Sequence, residues 1–135
     1  MSYLEWIERA RFFLREAERH LSEGVYWAAC FEAHQAAEFY LEGILLKIMN
    51  LYPFTHDLLI LLDELEKAGI SAPDEVRLSA DYLTPHYTGA RYPGTRSTVY
   101  DRRRAENCLK HAKVIANFVE ELLWSQVSNQ KLRNF

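Results

Sequence analysis

Apolar side chains near the start of the chain recur at alternating four- and three-residue steps: Tyr3, Ile7, Ala10, Leu14, Ala17 and Leu21. Glu5, Glu8, Arg9, Arg15, Glu16 and Arg19 fall mostly off that stripe, so the pattern predicts a long amphipathic helix. It should end near Ser22-Glu23-Gly24, where a glycine can take the left-handed conformation that closes a helix. A second stripe, Cys30, Ala33, Ala37, Leu41, Ile44 and Ile48, predicts a helix from about Val25 to Asn50. Alanines near its start would let a neighbouring helix approach closely. Tyr52-Pro53 should break this run, and Thr55-His56-Asp57 should open a shorter helix carrying Leu58, Leu61, Leu62 and Leu65 as far as Ala68-Gly69. Ser71-Ala72-Pro73-Asp74 has the form of a helix start, with proline in the first turn, and predicts a short helix to about Leu83. From near Asp101 a last helix should present Ala105, Cys108, Ala112, Ile115, Val119 and Leu122, its polar end from Ser125 onward being prone to fray.

No segment alternates with period two, so a sheet is not expected. Three long helices and one or two short ones predict an all-α fold, an up-and-down four-helix bundle with one or two additional short helices. A length of 135 residues, 49% of them apolar, suffices for one core, so a single domain over 1–135 is expected. Apolar runs such as Leu58 to Leu62 are too short to span a bilayer, and the first residues lack the pattern of a secretion signal. The expected location is cytoplasmic. Cys30 and Cys108 stand alone inside helical patterns and predict buried thiols, with neither a disulfide framework nor a zinc knuckle.

The stretch Thr84 to Val99, TPHYTGARYPGTRSTV, has no helical period and should be a connection, which at this length tends to be functional or disordered. Its aromatic content argues for order. Charge is uneven as well: Tyr87 to Lys113 holds seven basic residues against Asp101 and Glu106, while the whole chain carries −3. A general nucleic-acid coat is excluded, and a local basic surface is not.

Three blocks together carry a family resemblance. Cys30-Phe31-Glu32-Ala33-His34-Gln35-Ala36-Ala37-Glu38 resembles the HEPN motif of small residues followed by Gln-Ala-Ala-Glu, and Thr55-His56-Asp57-Leu58 resembles its Thr-His-Asp-Leu start to the third helix. Tyr87 to Pro93 is similar to the Ala-Arg-Tyr-Pro segment of one prokaryotic branch. The resemblance implies a bundle that pairs into a homodimer, binds nucleotide or RNA and works beside a minimal nucleotidyltransferase in a toxin-antitoxin-like pair. No cofactor is implied. In many such pairs the HEPN protein is a metal-independent endoribonuclease. Active members carry Arg, a polar residue and then His near the start of the last helix, and after Arg91 no histidine follows at that spacing. Arg15 to His20 matches the spacing in the wrong helix. Arg104 to His111 matches it in the right one and would share a helix face.

Cleavage of RNA without a metal needs a base, an acid and a cation facing the phosphorane; histidine can fill the first two roles and arginine the third. The candidate catalytic residues are therefore His86, Arg91, Arg104 and His111. A guanidinium fork suits phosphate, so Arg91, Arg96, Arg102 and Arg103, with Tyr92 as a stacking ring, are the candidate nucleotide-binding residues. Arg91 could equally brace backbone carbonyls or Asp81, and His86 could reach the same site only if the connection folds back. Tyr82 suits core packing. Cys30, His34 and Glu38 fall at four-residue steps, but no complementary ligand pair exists and no metal is expected. Gln35 and Glu38 better fit a dimer or partner seam, and His56 beside Asp57 fits a helix cap. Three arginines at a helix start, Arg102 to Arg104, oppose the dipole and should be offset by a bound phosphate or by acids from the first helix or a dimer mate. The alternative to a binding domain or an endoribonuclease is a non-catalytic helical dimerisation or adaptor protein.

Overall fold

The computed structural model describes residues 2–93 and 99–133, with side chains described as far as 125. It contains α1 (Tyr3–Ser22), α2 (Tyr26–Met49), α3 (Leu58–Lys67), α4 (Asp74–Leu83), α5 (His86–Gly89) and α6 (Arg102–Arg133). All elements described are helical. α1, α2, α4 and α6 run alternately up and down, α3 packs against α2 and antiparallel to α4, and α5 is one extra turn.

Helix ends follow local chemistry. Ser2 caps α1 through its side chain, and Gly24 at φ +79 reverses the chain into α2. α2 stops ahead of the expected proline break, because Asn50 takes a left-handed conformation (φ 61) and its N–H closes on the Leu46 carbonyl. At the Thr55-His56-Asp57 start, Asp57 caps α3 by accepting from the Leu59 N–H at 3.0 Å. The expected start of α4 needs correction: Pro73 holds the cap position and no side chain caps the helix, so Ser71 has no such role. Within the connection read as lacking helical period, His86–Gly89 forms a helical turn.

α2 is the centre of the molecule. The sequence pattern assigns it one apolar stripe, yet it is buried on nearly every side, because α1, α6 and the α3–α5 region cover different faces. Ala29, Ala33, Ala36 and Ala37 let the neighbours approach, and Leu41, Ile44 and Leu45 share the core with Ile7, Leu62, Ile115 and Val119. Cys30 and Cys108 are free buried thiols, as expected. α1 is tied across to α6 by the Arg11–Glu120 fork, at 2.8 and 2.9 Å, whose carboxylate also accepts from the Tyr40 hydroxyl.

α1 approaches α2 tightly at Gly43, where an added Cβ would lie 2.7 Å from Ile7 Cδ1 and 3.2 Å from Trp6 Cβ. Ile7 is fully enclosed and has little room to turn aside. Gly43→Ala should therefore lower stability by about 1–3 kcal/mol in urea unfolding, despite alanine's better helix propensity. An unchanged or raised midpoint would show that α1 can shift freely along α2.

Candidate functional site

Burial of α2 forces a row of polar side chains inside. His34, Glu38 and Glu42 follow one another at four-residue steps and are all buried. Each is met differently. His34 Nε2 donates to the His56 carbonyl at 2.9 Å, and Gln35 Oε1 lies 3.3 Å from its Nδ1. Burial, as the main cause, pushes the His34 pKa down to about 4, so the ring is neutral near pH 7. Glu38 Oε1 lies 2.7 Å from His56 Nδ1. Burial raises the Glu38 carboxyl above the usual carboxylate range while His56 works against that rise. Glu42 has no such partner. Burial first, then repulsion from Glu38, push its pKa up to about 8. Trp6 Nε1 lies near enough to favour the Glu42 anion, yet it is buried without a partner at hydrogen-bonding distance.

His56 leads outward from this row. Its ring is stacked on Tyr87, with centroids 3.7 Å apart and planes 13° from parallel. Tyr87 comes from α5 and also touches His34 and Phe31. Over Tyr87 lies the Arg91 guanidinium, its Cζ 4.1 Å from the ring centre, flanked by Tyr92 at 5.1 Å and Phe31 at 5.3 Å. Arg91 Nε donates to the Tyr87 carbonyl at 2.8 Å. Of the structural readings open for Arg91, bracing a backbone carbonyl thus applies, and no bond to Asp81 is found among the described residues. The rings hold the cation by its face, an attraction of roughly 0.5–2 kcal/mol for each well-placed ring.

His86, His111, Arg103 and Arg104 gather instead around Tyr82. His86 does not fold back toward Arg91. It is buried, with Nδ1 2.8 Å from the Tyr100 hydroxyl, and packs beside Tyr82. Burial first, then the Arg104 charge, push its pKa down to about 4, which makes it a neutral packing group. His111 Nδ1 is 2.9 Å from Ser79 Oγ, and its ring lies 4.4 Å from that of Tyr82. Burial lowers its pKa. Tyr82, Asp101, Arg103, Arg104 and Asn107 line an open polar cleft of about 350 Å³.

Two of the three arginines at the start of α6 are engaged locally rather than by acids of α1. Asp101 Oδ1 accepts from the Arg104 N–H at 2.9 Å, Arg104 Nε donates to the Val99 carbonyl, and Arg102 reaches the Tyr26 hydroxyl. Arg96 lies outside the described residues. Cys30, His34 and Glu38 do not converge, since Cys30 turns to the Cys108 thiol inside the core while His34 and Glu38 turn to His56. Among the described residues the one group with metal-ligand geometry is Glu16, His20 and Glu32, whose ligating atoms lie within 4.8 Å of one another. The Arg19 guanidinium already sits on Glu16 and beside His20 there.

The HEPN domain profile matches residues 3–122. This chain belongs to the HEPN family. Solved relatives share the fold: TT1696 of Thermus thermophilus is 35% identical over 88% of this chain and 96% of its own, with a TM-score of 0.81. ST0689, an archaeal HEPN homologue, is 29% identical over 90% and 98%, with a TM-score of 0.74. The HEPN domain protein TM0613 of Thermotoga maritima is 26% identical over 88% and 97%, with a TM-score of 0.73. No curated protein matches. No described helix of this HEPN chain is long and apolar enough to cross a membrane.

Sequence reasoning missed His56 and Phe31 as parts of the Arg91 cluster. The available signal was that the Thr-His-Asp-Leu block and the Gln-Ala-Ala-Glu block each carry a polar group that a buried helix must accommodate.

Glu42 gives this HEPN domain a pH-dependent stability. Its folded pKa of about 8 lies above the ordinary 4.5, so the folded chain holds this proton more tightly. That contribution is complete below about pH 4.5 and is lost as the pH rises through about 8. Glu42→Gln should unfold at a urea concentration that varies less between pH ~5 and ~9, and should exceed wild type at the upper end by about 2–4 kcal/mol. Parallel curves for the two proteins would remove Glu42 as the cause.

Proposed function

We propose that this HEPN domain binds nucleotide or RNA, with the Arg91 cluster as its anion-binding surface, as a homodimer that partners a minimal nucleotidyltransferase in a toxin-antitoxin-like pair. The observation that carries the reading is the posture of Arg91. Its guanidinium lies face-on to Tyr87, fixed through Nε, at a half-buried edge of the bundle. A cation pre-positioned among aromatic rings needs little further ordering when a phosphate arrives, and the neighbouring ring faces suit a base or sugar. Lysine would lack the fork and the flat face. The dimer seam is assigned to Gln35, half-buried on α2, because the Glu38 carboxylate is already engaged by His56.

A second reading, a metal-independent endoribonuclease, draws on one observation: Arg104 and His111 lie two turns apart on α6 and both border Tyr82 beside the polar cleft. A cation and an imidazole beside one cleft are two of the three groups that the chemistry needs. The adaptor reading has no comparable feature in its favour.

Arg91→Ala should weaken binding of nucleoside triphosphate or RNA by about tenfold or more in a titration, the worth of one charge-assisted contact. Equal affinity for the variant would remove Arg91 from the site. Incubation of the same proteins with total RNA in EDTA, beside Arg104→Ala and His111→Ala, separates binding from cleavage. Products lost in either variant would establish the endoribonuclease, and intact RNA throughout leaves the binding domain. Light scattering at micromolar concentration should give twice the chain mass.

A further inference from the structure

The ring series that holds Arg91 continues outward past His56. Phe54, in the connection between α2 and α3, is 94% exposed, and its ring stands edge-on to His56 at 5.9 Å. It takes no part in the core. His56 then stacks on Tyr87, and Tyr87 carries the Arg91 guanidinium, so Phe54, His56, Tyr87 and Arg91 follow one another in one row of ring contacts. The His56 ring is not free to turn. Glu38 engages its Nδ1 from inside, which leaves Nε2 as the polar atom available on a half-exposed edge.

Exposure of a single ring is ordinary; what sets Phe54 apart is that its open face adjoins an imidazole and, through Tyr87, an arginine. A purely apolar protein partner would bury the adjacent imidazole and guanidinium without compensation. A ligand with flat rings and an anionic backbone would satisfy all of them, and unpaired bases supply such rings. In a duplex the base faces are covered by their neighbours and cannot reach Phe54.

We propose that Phe54 is the stacking floor for an unpaired nucleobase, with His56 at its polar edge and Arg91 on the phosphate, so that the ligand of this surface is single-stranded nucleic acid. This rests on the nucleotide-binding reading above and extends it to the form of the ligand and the residue that meets the base. Glu38 is a positioning residue, acting through the His56 ring. Stacking tolerates any base, so the surface should discriminate strand state more strongly than sequence.

The test is fluorescence anisotropy with a labelled, unstructured oligoadenylate and with the same strand annealed to its complement. Wild type should prefer the single strand. Phe54→Ala should lose about tenfold or more in single-strand affinity at unchanged melting temperature, while Phe54→Trp should keep that affinity and shift its emission on binding. Glu38→Gln should weaken binding less and change its pH profile, because the imidazole loses its carboxylate partner. Tight single-strand binding that Arg91→Ala weakens and Phe54→Ala does not would overturn this assignment and leave the nucleotide-binding reading intact. Equal affinity for single and double strands would also overturn it. Failure of wild type to bind either form would remove both readings together.

Discussion

The hydrogen bond between the buried Glu38 carboxylate and His56 decides how the functional end of the molecule is built. A carboxyl group enclosed by α2's neighbours carries a large desolvation cost unless a donor meets it. The donor cannot come from the apolar faces of α1 or α6. It comes from the connection before α3, and this fixes His56 in place, lets its carbonyl accept from His34, and gives Tyr87 a flat surface to lie on. Arg91 is positioned only at the end of that sequence. Its placement is therefore a consequence of how a central helix manages its own polar residues.

Glu42 shows what happens on the same helix without such a partner. One turn along from Glu38, it faces the Glu38 charge and an indole N–H that does not close a bond. The contrast within one helix separates burial from partnership: both carboxyls are buried and both are pushed upward, but a neighbouring imidazole opposes the shift only at Glu38.

Much of the fold could be read from the chain, because helix periodicity, caps and small-residue stripes are local signals. The stripes of α1 and α6 lie in the core where the spacing put them, and Gly24 turns the chain where expected. The all-round burial of α2 was not legible, since it depends on how many neighbours a helix acquires. That explains why the cap beside His56 was legible and its ring partner was not: Glu38 is 18 positions away on another helix, and nothing local marks the pair. Likewise His86 and Arg91, close in sequence, diverge because α5 ends at Gly89: His86 stays on the turn and meets Tyr100, while Arg91, beyond its end, folds back onto the Tyr87 carbonyl. Spacing brought Arg104 to the cleft and His111 against Tyr82 behind it, but it could not distinguish a neutral packing histidine such as His86 from a reactive one.

By charge alone the arginine run is the stronger argument for an anion, since three cations at a helix start oppose the dipole by roughly 0.3–1 kcal/mol each. The structure weakens that argument. Asp101 sits at the helix start, where its charge is favourable, Arg104 is drawn off to the Val99 carbonyl, and Arg102 turns to Tyr26. These contacts lie within the chain and account for two of the three arginines, while Arg103 lines the open polar cleft. Arg91 is different in kind. Its Nε is engaged by one carbonyl while its charge faces aromatic rings, which attract a cation without neutralising it. A full positive charge held in place yet, among the described residues, not paired with an acid is what an arriving anion requires, and for that reason the functional reading rests on the ring cluster rather than on the more heavily charged helix start.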